Sequence, residues 1–92
     1  MIRSFYCKKT ESLFNDIDIL KFRSFERVAR RKLMYLNSAR VLQDLKVPPN
    51  NRLESLKGNR KGKYSIRIND QWRICFSWKD NDSYNVEIVD YH

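Results

Sequence analysis

Residues 63–78, KYSIRINDQWRICFSW, decide the fold predicted for this chain. They contain two runs in which apolar and polar residues alternate, and a period of two is typical of strands with one buried face. Both apolar sets must face one core, so the loop between the runs fixes the register. A three-residue loop at 69–71 keeps the two sets together, whereas a two-residue loop would mix the faces. The predicted pairs are Ile68 with Trp72, Ile66 with Ile74 and Tyr64 with Phe76.

The same register places Arg67 directly across from Arg73 on the other face of the sheet. Like charges opposite each other destabilise a sheet. One interpretation is that both guanidiniums bend into water at little cost, and the other is that the pair binds phosphate. On the second interpretation we expect Arg73→Ala to abolish function with little loss of stability, and Arg67→Ala to have a milder effect.

Length and composition predict one small domain over residues 1–92, with 41% hydrophobic and 13% aromatic residues to form a core. No apolar run approaches the length of a membrane span, and the charged N-terminus does not resemble a signal peptide. Two cysteines in such a chain are typical of reduced thiols in a cytoplasmic protein. A single histidine is too few to complete a zinc site with them. We therefore expect no metal, no cofactor and no membrane partner.

The net charge of +8 is concentrated in the middle of the chain. Residues 21–46 carry eight basic and two acidic side chains, and residues 47–73 carry seven and two. Residues 74–92 carry one basic and four acidic side chains. A basic middle on a small domain indicates a polyanionic partner, most often nucleic acid, although an acidic protein is the alternative.

The first half of the chain predicts a short strand and two helices. Residues 1–5 alternate as a strand does, and residues 8–14 predict a short helix. Ser24 is a good N-cap for a longer amphipathic helix with a basic outer side. Its core positions are Phe25, Val28, Ala29, Leu33 and Leu36, and its basic positions are Arg27, Arg30 and Arg31.

Ser38 is predicted to cap a second, shorter helix that ends at Leu45, where two prolines soon stop helical structure. A loop at 47–51, a short extended segment at 52–56 and a glycine-bounded basic turn at 57–62 follow. The last strand is predicted to pair Trp78 with Tyr84 and Ile74 with Ile88.

Continuing that strand aims Tyr91 at the arginine face, next to His92, the single histidine. RNA can be cleaved by its own 2′-hydroxyl, which requires a base, an acid and cations for the phosphate. Arginine clamps phosphate through its fork, and histidine titrates near neutrality. The alternative is that residues 90–92 are a frayed chain end.

Four motifs together resemble the HigB toxins of the RelE/ParE superfamily of bacterial toxin–antitoxin systems. They are Met1-Ile2 with Ser4-Phe5, Leu56-Lys57-Gly58 with Arg60 and Gly62, Asn69-Asp70-Gln71-Trp72-Arg73, and Asp90-Tyr91-His92. The resemblance implies an α+β domain in which an antiparallel sheet packs helices on one face. It further implies a ribosome-dependent endoribonuclease that cleaves mRNA in the ribosomal A site. The implied partner is a HigA-like helix-turn-helix antitoxin, which binds operator DNA with the toxin.

By matching position, the residues implicated in cleavage are Lys57, Arg73, Asp90, Tyr91 and His92. We expect contacts to RNA or the ribosome from Arg67, Arg60, Lys61, Lys63, Arg27, Arg30 and Arg31. Some relatives carry a catalytic histidine where this chain has Glu54, so either Glu54 is the base or Tyr91 and His92 share the acid–base work. The second option is preferred, because Glu54 among so many cations would be ionised and could be a counter-charge. Two alternatives on the same fold stay open: a ParE-like gyrase inhibitor and a non-catalytic module that binds RNA or antitoxin.

Overall fold

The computed structural model describes residues 1–58 and 62–90. These residues form a four-stranded antiparallel sheet in the order β1-β2-β3-β4, with the helices packed on one face. This arrangement confirms the predicted α+β class. The strands are β1 (Glu54–Ser55), β2 (Lys63–Arg67), β3 (Trp72–Lys79) and β4 (Asp82–Asp90), and the helices are α1 (Lys8–Phe14) and α2 (Glu26–Ser38). Short 3-10 helices occupy Leu20–Phe25, Leu42–Lys46 and Pro49–Asn51.

The register of β2 and β3 is the one that the alternating pattern predicts. Ile66 pairs with Ile74, and Arg67 pairs with Arg73. The Ile68 amide donates to the carbonyl of Trp72 at 2.9 Å, which closes a loop of residues 69–71. The side-chain oxygen of Asn69 accepts hydrogen bonds from the amides of Gln71 and Trp72, both at 2.8 Å. Asparagine favours such turns because its side chain satisfies backbone donors that no strand reaches.

The predicted pairing of β3 with β4 is confirmed at one end of the strands and is wrong at the other. Ile74 pairs with Ile88 as predicted, but Trp78 pairs with Ser83, and Tyr84 pairs with Ser77. A bulge adds one residue to β4 between these two registers, and Asn85 within it has a φ of 53°. The extra residue moves Tyr84 from the predicted core face to the opposite face.

Residues 80 and 81 form a tight turn between β3 and β4. Both have positive φ, at 52° for Asp80 and 64° for Asn81, and Lys79 pairs with Asp82. Two consecutive left-handed residues match the right-handed twist of a hairpin, and Asp and Asn adopt that conformation more readily than most residues.

The N-terminal segment lies parallel to β4 but forms two isolated bridges, Ile2 with Ser83 and Phe5 with Val86. The predicted first strand is therefore only partly formed. Between the bridges, the hydroxyl of Ser4 accepts a hydrogen bond from the Asn85 amide at 2.9 Å. The bulge in β4 interrupts the regular ladder at this point, and the Ser4 side chain bonds the amide within the bulge.

Helix α1 has the predicted bounds, whereas α2 begins at Glu26 rather than after Ser24. Ser24 lies inside the preceding 3-10 helix and does not cap α2. Aromatic packing accounts for the tighter winding, since the ring centroid of Phe25 lies 5.0 Å from that of Trp72 and 5.8 Å from that of Phe22. Within residues 1–58 and 62–90, no helix combines the length and apolar character needed to cross a bilayer.

The core confirms the predicted apolar stripe of α2. Ala29, Leu33 and Leu36 are buried, and Phe25 and Val28 are half-buried beside them. Lys32 on the same stripe is also buried, which the sequence did not predict. The sheet contributes its alternate residues, and the fully buried apolar positions include Leu13, Phe22, Leu45, Ile66, Ile74, Phe76 and Val86.

The prediction of a second helix capped by Ser38 is wrong. Ser38 is the last residue of α2, and only a 3-10 turn follows at Leu42–Lys46. The Asp44 carboxylate caps this turn by accepting the amides of Arg40 at 2.8 Å and Val41 at 3.3 Å. These bonds hold the pKa of the Asp44 carboxyl below its ordinary value. Leu45 is buried as predicted.

A buried asparagine fastens the loop that leads into β1. Asn51 is fully buried, and its side-chain amide donates to the carbonyls of Leu45 at 3.1 Å and Val47 at 3.3 Å. Its side-chain oxygen accepts a hydrogen bond from the Lys32 ammonium. The loop therefore depends on one side chain for three buried polar contacts.

We expect Asn51→Ala to lower the free energy of unfolding by about 2 kcal/mol or more, because buried partners left unsatisfied cost about 1–3 kcal/mol each. Asn50→Ala is the matched control, since Asn50 is exposed and its side chain accepts a hydrogen bond from Lys32 at 3.2 Å. Urea unfolding of both variants measures the difference. Equal stabilities of the two variants would show that the Asn51 contacts do not hold the loop.

Candidate functional site

The face of the sheet turned away from the helices, here called the outer face, carries a polar row across all four strands. The register places Glu54, Ser65, Cys75 and Glu87 side by side. On one side of this row lie Arg67, Arg73 and Val89, and on the other lie Lys63, Ser77 and Tyr84. The alternation that buries the apolar residues therefore collects charged and nucleophilic side chains on the opposite face.

A cleft of about 570 Å³ opens on the outer face. Cys75 and Glu87 lie in it side by side, Lys63 borders it from β2, and Asp90 borders it at the end of β4. Tyr6 lines it from the N-terminal segment, where the Tyr6 amide bonds the carbonyl of Val86 at 3.0 Å. Two of the predicted site residues, Lys63 and Asp90, thus share this cleft.

Arg73 lies next to the cleft, as the direct partner of Val89, and is almost completely buried at 7% exposure. Its Nε donates to the hydroxyl of Ser65 at 2.9 Å. Its Nη2 donates to the carbonyl of Arg52 at 2.6 Å and to that of Ser65 at 3.3 Å. Because its removal would leave these acceptors without their donors, we now expect Arg73 to contribute to stability, contrary to the expectation from the sequence.

The opposed arginines are each relieved by other contacts. Arg67 forms an ion pair with Asp70, whose side chain is fully exposed. Arg73 has its hydrogen bonds and lies 3.9 Å from a carboxylate oxygen of Glu54. The interpretation that both guanidiniums bend into water is thus wrong for Arg73, and the opposition alone does not require a phosphate to explain it.

Two acidic candidates differ in their surroundings. The Glu54 side chain is 54% exposed and faces Arg73, so it can act as a counter-charge to that guanidinium. Asp90 is exposed, pairs with Trp72 across the strands, and accepts a hydrogen bond from Gln71 Nε2 at 3.1 Å. The hairpin loop therefore orients a carboxylate at the edge of the cleft.

The remaining predicted residues lie elsewhere or outside the described part of the chain. Lys57 is exposed, close to β1 in sequence. Arg27, Arg30 and Arg31 lie on α2, which packs on the helix-bearing side of the sheet, away from the cleft. Arg30 is paired with Asp16 and with Glu26. The predictions for Arg60, Lys61, Tyr91 and His92 fall on residues that the structure does not describe.

Cys75, Glu87 and Tyr6 also line the cleft, although none of them was predicted as a site residue. The signal for two of them was present, because pairing Ile74 with Ile88 necessarily sets Cys75 beside Glu87 on the other face. Tyr6 had no such signal, since its place depends on the isolated bridge between Phe5 and Val86. Across residues 1–58 and 62–90, no group of three or more His, Cys, Asp or Glu side chains could hold a metal ion.

This arrangement offers a positioned cation beside several carboxylates. Arg73 is fixed by three acceptors, so its charge does not have to reorganise when an anion approaches. Glu87 supplies an acceptor in the cleft, and Lys63 supplies a second cation. Asp90 borders the cleft at the end of β4, but its pairing with Trp72 assigns it to the core face of the sheet. Such a site can bind a phosphate ester and support proton transfer near it.

Comparison with known proteins agrees on one family. A family model described as the RelE-like toxin of the type II toxin-antitoxin system HigB matches residues 3–92. Toxin HigB-1 of Vibrio cholerae is 47% identical over 63 residues, which are 68% of this chain and 66% of that protein. Endoribonuclease HigB of Proteus vulgaris is 42% identical over 41 residues, 45% of each chain. The matched region thus spans less than two thirds of each of these relatives.

Solved structures support the fold at lower identity. The toxin–antitoxin complex YoeB-YefM from Staphylococcus aureus aligns with a TM-score of 0.56 at 20% identity, over 100% of this chain and 98% of that chain. A YafQ mutant from E. coli aligns with a TM-score of 0.53 at 15% identity, over 98% and 93% of the two chains. These likenesses concern the fold, and the family follows from the match over residues 3–92: the chain belongs to the HigB family of RelE-like toxins of type II toxin-antitoxin systems.

Proposed function

We propose that this toxin is a ribosome-dependent endoribonuclease that cleaves mRNA in the ribosomal A site and thereby inhibits translation. The observation that supports it best is the buried Arg73 held beside a cleft that Asp90 borders. The chain continues from Asp90 directly into Tyr91 and His92. The Proteus vulgaris relative, an endoribonuclease, adds support.

In the proposed reaction the 2′-hydroxyl of the substrate RNA attacks the adjacent phosphorus and loses its proton to a general base. The bond from phosphorus to the 5′-oxygen breaks, and a general acid donates a proton to that oxygen. We assign the acid and base roles to Tyr91 and His92. Arg73 would stabilise the charge on the phosphate, assisted by Lys57 and by Lys63 at the cleft.

Glu54 is the alternative base, and its surroundings argue against that role. Its carboxylate lies 3.9 Å from Nη1 of Arg73, where a counter-charge to the guanidinium is useful. We therefore treat Glu54 as a residue that positions Arg73.

The proposed partners are a HigA-like helix-turn-helix antitoxin, the ribosome with its mRNA, and operator DNA contacted through the antitoxin. One aligned structure is a YoeB-YefM complex, in which a toxin of this fold is bound to its antitoxin. The basic side chains of α2, chiefly the exposed Arg27 and Arg31, are proposed to contact ribosomal RNA. The proposed location is the cytoplasm, where ribosomes and mRNA meet the toxin.

The deciding experiment incubates purified toxin with mRNA in the presence and absence of ribosomes and maps the cleavage sites by primer extension. We expect cuts within A-site codons only when ribosomes are present. A plasmid supercoiling assay with gyrase runs in parallel. Intact mRNA on the ribosome together with lost supercoiling would favour gyrase inhibition, and intact mRNA with normal supercoiling would favour a non-catalytic binding module.

We expect Arg73→Ala to lower cleavage about 100-fold or more, by removal of a positioned cation, and to lower the free energy of unfolding by about 2–3 kcal/mol, by loss of buried hydrogen bonds. Arg67→Ala is the matched control, because it removes the same charge from the same face and an exposed ion pair contributes about 1 kcal/mol or less. Both variants are assayed for cleavage below their melting temperatures. Full activity of a folded Arg73→Ala protein would exclude the phosphate-binding role.

Deletion of residues 91 and 92 is expected to leave a folded protein that no longer cleaves mRNA. The last β3–β4 pair is Trp72 with Asp90, so the sheet pairing described here is complete without them. Loss of a general acid and a general base costs roughly 10²–10⁴-fold each. Glu54→Gln is assayed beside the truncation and should retain most activity. If the truncated toxin cleaved normally and Glu54→Gln did not, Tyr91 and His92 would lose their assigned roles and Glu54 would be the base.

A further inference from the structure

Lys32 is a buried cation whose contacts are neutral. Only 4% of the residue is exposed, and its ammonium donates to the side-chain oxygens of Asn51 and, at 3.2 Å, of Asn50. Within residues 1–58 and 62–90, Lys32 takes part in none of the ion pairs with Asp or Glu. Buried charges are ordinarily paired, because an uncompensated ion in a protein interior is costly.

The nearest charges make this position more positive. Burial, followed by the positive charges of Arg67 and Arg31, holds the pKa of the Lys32 ammonium below its ordinary value. Arg67 is itself paired with Asp70, but that carboxylate is fully exposed to solvent. An anion placed near Lys32 would relieve the repulsion among the three cations.

A pocket of about 220 Å³ opens beside Lys32, several times the roughly 30 Å³ occupied by one water molecule. Its polar lining is Arg31, Lys32 and Tyr35 from α2 and Asn50 from the 3-10 helix before β1, and its apolar lining is Val28, Pro48 and Ile68. The four polar side chains carry hydrogen-bond donors, and the ammonium has three donor hydrogens for its two asparagine acceptors. The pocket is on the helix-bearing side and shares no lining residue with the cleft on the outer face.

We propose that this pocket, here called the Lys32 pocket, binds a phosphate group. Its volume admits a tetrahedral anion, and its donors suit phosphate oxygens. Among residues 1–58 and 62–90, no carboxylate forms an ion pair with Lys32. The phosphate group belongs either to a free phosphate ion or to the backbone of an RNA strand. The inference goes beyond the proposed cleavage reaction, because it concerns binding at a second site and holds whether or not the toxin cuts RNA.

The test is a titration of the toxin with inorganic phosphate, monitored by the backbone amide NMR signals of Asn50, Asn51 and Arg31. Sodium chloride keeps the ionic strength constant. We expect saturable shifts confined to residues around the pocket. Shifts that stay linear in phosphate, or that spread over all basic residues, would overturn the proposal.

Two arginine variants on one helix form a matched pair for this titration. Arg31 lines the pocket and Arg27 does not, although both are exposed and both lie on α2. We expect Arg31→Ser to weaken phosphate binding about fivefold and Arg27→Ser to change it less than about twofold, in line with the modest energies of partly exposed charge pairs. If the two variants weakened binding equally, phosphate would be attracted to the basic surface in general, and the Lys32 pocket would not be a specific site.

Lys32→Gln removes the buried charge while it keeps an amide donor for Asn51, and we expect it to abolish saturable binding. If this variant does not fold, the arginine pair still decides the question. Retained binding by a folded Lys32→Gln protein would make Lys32 a purely structural residue and overturn the proposal.

A second titration with a 2′-O-methyl RNA oligonucleotide, which cannot be cleaved by its own 2′-hydroxyl, distinguishes the sources of phosphate. Shifts at the same amides, with competition by inorganic phosphate, identify the RNA backbone as the ligand. Oligonucleotide shifts confined to other residues, beside normal phosphate binding, identify a free anion. Because neither titration measures cleavage, failure of this proposal is separable from failure of the proposed nuclease activity.

Discussion

The hydrogen bonds from the Gln71 and Trp72 amides to the side chain of Asn69 close the loop on which both faces of the sheet depend. With three residues in that loop, Ile66 meets Ile74 against the helices, and Ser65 meets Cys75 on the outer face. A slip of one residue would exchange these faces and place Arg73 in the apolar core. The same short loop therefore determines the packing of the core and the composition of the cleft.

Arg73 joins stability to the chemistry of the site. Its hydrogen bonds reach the carbonyl of Arg52, just before β1, and both the hydroxyl and the carbonyl of Ser65 on β2. They therefore connect the short edge strand to the middle of the sheet. A guanidinium fixed in this way presents its charge in one orientation, which is the condition for stabilising charge that develops during a reaction. A substitution of Arg73 therefore has two effects: it removes the fixed positive charge, and it leaves the carbonyls of Arg52 and Ser65 without their donor.

The alternating pattern predicted the register of β2 with β3 because that register is decided locally, by a short loop and the requirement for one core. It did not predict the bulge at Asn85, because Tyr84, Val86 and Ile88 alternate whether or not an extra residue interrupts the pairing. The hydrogen bond from Arg73 to the Arg52 carbonyl joins residues 21 positions apart. Its acceptor is a backbone atom, so the pattern of side chains in the sequence does not predict it. The proposed roles of Tyr91 and His92 still rest on sequence and family resemblance alone.

The burial of Lys32 is a second feature that the sequence did not predict, for a different reason. Its spacing from Val28, Ala29 and Leu36 places it on the core stripe of α2, but a lysine is ordinarily assigned to the solvent face by residue type. Burial became possible because Asn50 and Asn51 supply acceptors from a loop almost twenty residues away. Neither partner was identifiable while residues 47–51 were described only as a loop.

The distribution of charge gives the two sides of the sheet different roles. On the β4 edge, Asp82 is paired with the N-terminal ammonium at 3.2 Å and with Arg3 at 3.0 Å, so its charge is largely offset. Glu87 and Asp90, by contrast, line the cleft beside Arg73. The helix side presents Arg27, Arg31 and the Lys32 pocket. A polyanion is drawn first by this broad basic side, whose field extends about 8–10 Å at physiological ionic strength. The cleft is bordered by Lys63, Glu87 and Asp90, and this mixture of charges suits recognition of a single phosphate and its neighbouring hydroxyl better than attraction of an extended anion. Under the proposed function, α2 would hold a large RNA partner, while a short segment of the strand reaches the outer face.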